Sequence, residues 1–373
     1  MRIGFDAKRA FNNYSGLGNY SRYIIANICR FYPENEILLY TPTIADEELF
    51  HHPDGTVIKK PRTAIGKYWS SYWRSFRLVH WLGEDGVDIY HGLSNELPYG
   101  IHRTPIRSII TIHDLIFLRL PNLYQRFDRY VYTKKVEYGT RAATRIIAVS
   151  EQTKHDIVRF LNVDESRIRV VYQGCHRQFY HRVSDEVLDF TRKQFALPPE
   201  YLLYVGTIEE RKNLLKIVEA LNNGKIHVPL VVVGRKTAYY HLVRNYIEKN
   251  RMNHIHFLDQ VQESDLPAIY QGSRGFIYPS SYEGFGIPIL EALNSGVPVI
   301  TTAGGCLAET AGRGGLLIDP DDREEMIQAI SKVLEDSALR DRLIREGGVH
   351  ALKFREEQTI PTLYNVYLEC LNQ

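Results

Sequence analysis

Short apolar runs alternate with amphipathic stretches along most of the chain. The runs Arg2–Asp6, Ile37–Tyr40, Ile89–His91, Arg107–Ile112, Ile146–Val149 and Arg169–Tyr172 read as strands of the first half. Helical periodicity fills the intervals, most clearly over Asn19–Phe31 and Tyr124–Ala142. After a polar helical segment near Asp185–Phe195 the alternation restarts with strands at Tyr201–Val205, Pro229–Val233, His254–Leu258, Gly275–Tyr278, Val297–Thr301 and Gly315–Ile318. Helices at Leu214–Asn222 and Tyr239–Lys249 lie among them. Continuous apolar strands joined by helices imply parallel sheets covered on both faces. The fold class is therefore α/β, as two Rossmann-like doubly wound domains facing a central cleft. A single (β/α)₈ barrel fits less well, because the strands outnumber eight and the pattern restarts near Tyr201. The expected division is 1–174, 175–355 and a terminal helix, 356–373, returning to the N-terminal domain. Breaks in the helical C-terminal stretch are expected at Gly347-Gly348 and Pro361.

Length agrees with this division, since 373 residues exceed what one hydrophobic core usually serves. Forty-six basic against 44 acidic residues leave a formal charge of +2, too balanced for a nucleic-acid partner. Cys29, Cys175, Cys306 and Cys370 are widely spaced and read as reduced thiols. Neither they nor His51-His52, nor His254 with His256, form a metal-binding pattern, so no metal is expected. The N-terminus reads as a strand start, and no window is apolar enough to span a bilayer. The expected location is cytoplasmic, with peripheral contact on the inner face of the membrane left open.

One segment departs from that balance. Thr56–Gly83 holds six Lys and Arg residues, no acidic residue and all the tryptophans, Trp69, Trp73 and Trp81. Trp69, Trp73 and Phe76 fall at helical spacing. Such a helix either lies on an anionic membrane, holds an amphiphilic acceptor, or packs an ordinary core face behind a solvated basic side.

Candidate chemistry gathers where strands end. Ser15-Gly16-Leu17-Gly18-Asn19-Tyr20 precedes the first long helix, and its glycines let backbone amides approach a phosphate or sugar. Ser21 stands where a dinucleotide fingerprint needs its third glycine, which disfavours a nicotinamide-dependent dehydrogenase. Thr111-Ile112-His113-Asp114 ends a strand, where ligand-facing residues sit; a purely structural His–carboxylate pair is the alternative. Val205-Gly206-Thr207-Ile208-Glu209-Glu210-Arg211-Lys212-Asn213 places two cations near a helix start, so either an anion or Glu209 and Glu210 must compensate them. Tyr278-Pro279-Ser280-Ser281-Tyr282-Glu283-Gly284-Phe285-Gly286-Ile287-Pro288-Ile289-Leu290-Glu291 turns from a strand into a helix that Gly296 should end. Its two carboxylates suit sugar hydroxyls, and their spacing does not make them an acid–base pair.

These elements, in this order over nearly the whole chain, resemble the group-1 retaining glycosyltransferases of the GT-B fold, in motif style the bacterial mannosyltransferases. The most specific part is Glu-x₇-Glu, from Glu283 to Glu291. The resemblance implies transfer of a hexosyl group, mannosyl favoured, from a nucleoside-diphosphate sugar to a hydroxyl of a glycan or lipid-linked glycan acceptor. GDP-mannose is the favoured donor, a UDP-sugar the alternative, and no cofactor is implied. Gly16 and Gly18 would line the donor diphosphate and acceptor side. Arg211 and Lys212 would neutralise the departing diphosphate. Glu283 would hold the donor sugar, with backbone contacts from Phe285, Gly286 and Ile287. Glu291 would hold the ribose, and His113 would meet the transferred sugar. Arg235, Gly305, Cys306 and Leu307 are further donor-side candidates; Trp69, Trp73 and Asp114 are acceptor-side ones. Thr207, Ala308 and Asp259 depart from the family's usual arginine, proline and glycine. Two other functions remain in view: a sugar phosphorylase or nucleotide-sugar epimerase of the same architecture, and a non-catalytic glycan- or nucleotide-binding protein.

Overall fold

The computed structural model describes residues 1–61 and 70–372. The chain separates into two compact units, Met1–Gln173 with Glu356–Gln373, and Gly174–Arg355. Among the described residues the first unit carries a seven-stranded parallel sheet: β1 (Arg2–Asp6), β2 (Glu36–Tyr40), β3 (Val57–Lys59), β4 (Ile89–Gly92), β5 (Arg107–Ile112), β6 (Arg145–Ala148) and β7 (Ile168–Val170), in spatial order β3-β2-β1-β4-β5-β6-β7. The second carries six parallel strands, β8 (Leu202–Val205), β9 (Leu230–Val233), β10 (Ile255–Leu258), β11 (Gly275–Tyr278), β12 (Val299–Thr302) and β13 (Gly315–Ile318), ordered β10-β9-β8-β11-β12-β13. Two sheets exclude the single barrel. Strand order reverses at β1/β4 in the first sheet and at β8/β11 in the second. Open α/β sheets bind ligands just outside the carboxyl ends of the strands at such reversals.

Three local expectations are corrected. The first long helix starts at Gly16, so Gly16 and Gly18 lie in its first turn and not in a loop. A shorter helix, Lys8–Asn12, precedes it. A Cβ on Gly18 would stand 1.8 Å from the Asn13 carbonyl oxygen, so this glycine admits the incoming chain. Gly347-Gly348 lie inside helix Ser337–Ala351, where a Cβ on Gly347 would meet Leu293 at 2.7 Å. Gly347 allows close packing, Gly348 faces open space, and neither breaks the helix.

Pro361 likewise lies inside the terminal helix, Glu356–Leu371. Ile360, Leu363, Val366, Tyr367 and Cys370 of that helix are buried in the first unit's core. At roughly 2 kcal/mol per buried apolar side chain their burial outweighs the ~3 kcal/mol that an interior proline costs.

Candidate active site

In the second unit the reversal point is built from two loops. Past β8 and β9 the chain passes through Gly206 and Gly234, both at φ +156°. A Cβ on Gly234 would lie 1.9 Å from the Gly206 carbonyl oxygen, so the two strand ends touch through bare backbone. A 3₁₀ turn, Glu210–Lys212, follows, ended by Asn213 in the left-handed region at φ +58°. The Asn213 side chain donates to the Pro279 carbonyl at 2.7 Å and to Ser281 Oγ at 2.8 Å, and the Ser281 amide donates to the Arg211 carbonyl at 2.9 Å. The β8 and β11 loops are thereby fastened together.

That fastening brings three predicted residues into one cluster. Arg211 Nη1 is 2.7 Å from Glu283 Oε1, and Arg211 Nη2 donates to Glu209 Oε1 at 2.6 Å. The guanidinium also donates to the Tyr282 carbonyl. Lys212 Nζ stands 3.8 Å from Glu283 and 5.4 Å from the centroid of the Tyr278 ring. Tyr278 Oη and Ser280 Oγ donate to Glu283 Oε1 at 2.8 and 3.1 Å. Burial would lift the Glu283 carboxyl, but Lys212 and Arg211 outweigh it and hold the group below the usual carboxylate range. Arg211 spends its fork on two carboxylates, one of them the compensating Glu209. Lys212, too far from Glu283 to hydrogen-bond it, is the cation better placed to meet an anion. A fixed carboxylate beside an ammonium suits a hydroxylated ligand that carries phosphate.

The remaining donor-side candidates of the second unit follow the ends of β9, β11 and β12. Helix Ile287–Asn294 has Pro288 in its first turn and ends before Gly296 at φ +71°. Phe285 is buried. Behind it, Cys306 Sγ donates to the carbonyls of Glu283 at 3.0 Å and Phe285 at 2.9 Å. Cys306 and Leu307 are buried side chains that brace the loop, leaving only backbone for a ligand; Gly305 precedes them at φ +62°. Glu291 faces Tyr270, whose hydroxyl donates to it at 2.8 Å, and burial raises its pKa to about 7. Arg235 is exposed just beyond β9.

In the first unit, His113 directly follows β5 and is buried. Its Nε2 lies 2.8 Å from the Leu93 carbonyl, which makes Nε2 the protonated nitrogen and Nδ1 the acceptor for Gln173 Nε2 at 3.3 Å. Burial lowers its pKa to about 4, so the ring is neutral near pH 7. The Tyr20 ring meets it edge-on at 4.6 Å. Tyr20 Oη, Thr111 Oγ1, His91 and Tyr367 Oη then form a buried chain with contacts of 3.1, 2.8 and 2.8 Å. Asp114 Oδ1 accepts from the Ile116 amide at 3.1 Å; the ring of His113 is held by a carbonyl and an amide, not by a carboxylate. The Gly18 amide donates to the Ser15 carbonyl at 2.8 Å. At the β1/β4 reversal, Asp6, Arg74, Tyr90 and Glu96 line a small polar pocket.

Trp73 is corrected as an acceptor-side candidate. It is 4% exposed and packs edge-to-face on Trp81 at 5.3 Å. A π-helical turn over Trp73–Arg77 follows helix Ser70–Tyr72, so the helical face projected from the spacing is broken there. Arg74 is drawn inward by Asp6 and Glu96, and Lys59 pairs with Asp85, so part of the basic segment is neutralised. Trp69 lies outside the described residues. Asn213, Tyr278, Gln173 and Tyr20 were not singled out from sequence. Only Asn213 carried a signal, as the polar residue closing a turn before a helix.

A family model described as glycosyl transferases group 1 matches residues 188–349, and one described as glycosyltransferase family 4 matches residues 20–179. The chain is 31% identical over 305 residues to the O-antigen chain mannosyltransferase B of Escherichia coli, covering 79% of each chain. It is 25% identical over 270 residues to the O-antigen chain mannosyltransferase RfbU of Salmonella typhimurium, covering 71% of this chain and 70% of that one. Its fold is similar to that of a sucrose-phosphate synthase from Thermosynechococcus elongatus, with a TM-score of 0.80 at 19% identity over 99% of this chain and 98% of that one.

Proposed function

Because the chain belongs to the group 1 glycosyltransferases, we propose that it moves a hexosyl group, mannosyl first among the candidates, from a nucleoside-diphosphate sugar to a hydroxyl of a glycan or lipid-linked glycan, with retention at the anomeric carbon. The meeting of Arg211, Lys212 and Glu283 at the β8/β11 reversal carries this reading. The identity to an O-antigen mannosyltransferase supports mannose, and hence GDP-mannose ahead of a UDP-sugar.

In the proposed reaction the anomeric carbon–oxygen bond to the diphosphate breaks as the acceptor oxygen bonds to the same face. The leaving phosphate takes the acceptor's proton, so no protein base is required. Lys212, with Arg211 behind it, offsets the charge growing on that phosphate. Glu283, held ionised, accepts from the donor sugar's hydroxyls, and the backbone of Phe285, Gly286 and Ile287 borders the same ligand. Glu291 accepts from the ribose. His113, neutral and fixed by Leu93 and Gln173, is a sugar contact and not a nucleophile.

The test is a panel of GDP-, UDP- and dTDP-sugars with membrane lipid extracts as acceptor, read by release of nucleoside diphosphate and the anomeric configuration of the product. Acceptor-dependent GDP release from GDP-mannose with retention is expected. Turnover only with inorganic phosphate, donor epimerisation, or binding without turnover would each overturn the reading.

A further inference from the structure

Helix Arg126–Ala142 buries Val136, Gly139 and Thr140. At roughly 100° per residue its opposite face carries Phe127, Tyr130, Lys134, Tyr138 and Arg141. Phe127 is 76% and Tyr130 62% exposed, where a solvated helix face would carry charged and polar groups. The Lys134 ammonium stands 5.8 Å from the centroid of the Tyr130 ring.

The aromatic strip continues beyond the helix. Tyr138 lies 4.3 Å from the Tyr99 ring, Tyr99 stacks on Phe76 at 5.1 Å and 11°, and Phe76 meets Tyr72 at 5.3 Å. Phe76 is itself 55% exposed. Tyr72, Phe76, Tyr99 and Tyr138, from three separate segments of the first unit, thus form one connected ladder, and Tyr130 and Phe127 extend the same helix face beyond it. Its charge is cationic: Arg77 is exposed next to Phe76, and on the helix face Lys134 and Arg141 outnumber Glu137, which they meet at 2.9 and 3.4 Å. Arg126 and Asp128 each fall about 100° around the helix from Phe127, on opposite sides and off this face.

We infer that this ladder docks the protein on an anionic lipid bilayer, with the rings entering the headgroup zone and Arg77, Lys134 and Arg141 meeting lipid phosphates. Aromatic rings interleaved with cations are the pairing that an anionic membrane interface stabilises. Phe76 and Phe127 carry no polar group for a sugar to bond, and a neutral glycan brings no charge to pair with the flanking cations. Among the described residues no helix is long and apolar enough to cross a membrane, so the contact is peripheral. The inference does not depend on the donor chemistry.

The test is co-sedimentation of the full chain with vesicles of phosphatidylcholine alone and of equal parts phosphatidylcholine and phosphatidylglycerol. Wild type should partition onto the anionic vesicles and come off as salt rises. Phe127→Ser with Tyr130→Ser, and separately Phe76→Ser, should each weaken partitioning about tenfold, with the thermal melt unchanged. Arg77→Glu should weaken it without altering the rings. Equal partitioning of wild type and all variants, or none onto either vesicle, overturns the inference. Unchanged partitioning with a raised KM for a water-soluble oligosaccharide would make the ladder a glycan platform instead. Self-association lost in the ring variants, without vesicle binding, would make it an interface between copies.

Discussion

Between pH about 8 and about 5, three buried groups shift stability with opposite signs, Glu291 by taking a proton in the folded chain and two histidines by refusing one. In the first unit, burial with a smaller push from His113 lowers the His91 pKa to about 3, and burial lowers that of His113 to about 4. Histidines of the unfolded chain titrate near ~6.5, so below that pH the unfolded state binds the protons and stability falls. By pH ~5 each histidine has withdrawn about 2 kcal/mol. In the second unit, burial raises the Glu291 pKa to about 7 against its ordinary 4.5. Its buried charge is a penalty at high pH, and protonation relieves about 2–3 kcal/mol of it over the same interval. The tryptophans at 69, 73 and 81 all belong to the first unit, so their fluorescence during urea unfolding reports that unit. The fluorescence midpoint should drop on acidification, while hydrogen-exchange protection of helix Ile287–Asn294 rises. A flat fluorescence midpoint, or both readouts moving together, would refute the assignment of these three groups.

Lys212→Met should weaken nucleoside-diphosphate binding about 10- to 100-fold in calorimetry, the worth of one charged hydrogen bond. Wild-type affinity would reduce Lys212 to a counter-ion of Glu283. Tyr278→Phe removes the 2.8 Å donor to Glu283 and should cost about 1–2 kcal/mol in urea unfolding, with a fall in kcat/KM. Gly234→Ala places a methyl 1.9 Å from the Gly206 oxygen and should destabilise by about 2–3 kcal/mol, seen as a lower melting temperature. Trp73→Ala should cost about 3–5 kcal/mol by emptying a core position, with acceptor KM unchanged in the folded fraction.

The strands of the parallel sheets were legible where burial on both faces demanded unbroken apolar runs, as at Leu230–Val233 and Gly275–Tyr278. Val57–Lys59 escaped notice because an edge strand of three residues inside a basic segment has no such run. Gly347 and Pro361 misled for a different reason: local preference was overridden by packing that only tertiary structure supplies. Trp73 shows the same limit, since one π-helical turn breaks a spacing read as regular. At the candidate site, motif spacing located Arg211, Lys212 and Glu283 individually. Their convergence depends on strand order, which places β11 beside β8, and on the cross-loop bonds of Asn213. Neither leaves a periodic trace in the sequence.

The terminal helix gives the first unit a history in time. The strands of that unit leave the ribosome by Gln173, yet Ile360, Leu363, Val366 and Tyr367 arrive only after Gly174–Arg355 have been made. At the usual pace of synthesis that interval is roughly 10–40 s. During it the groove on the first sheet lies open, with Ile3, Ile25 and Ile28 among the apolar side chains of the core the helix will join. The second unit, continuous in sequence, can close first. The half of the protein begun earliest is therefore the last to be finished, and the nascent chain must shelter an incomplete core while its neighbour is already folded.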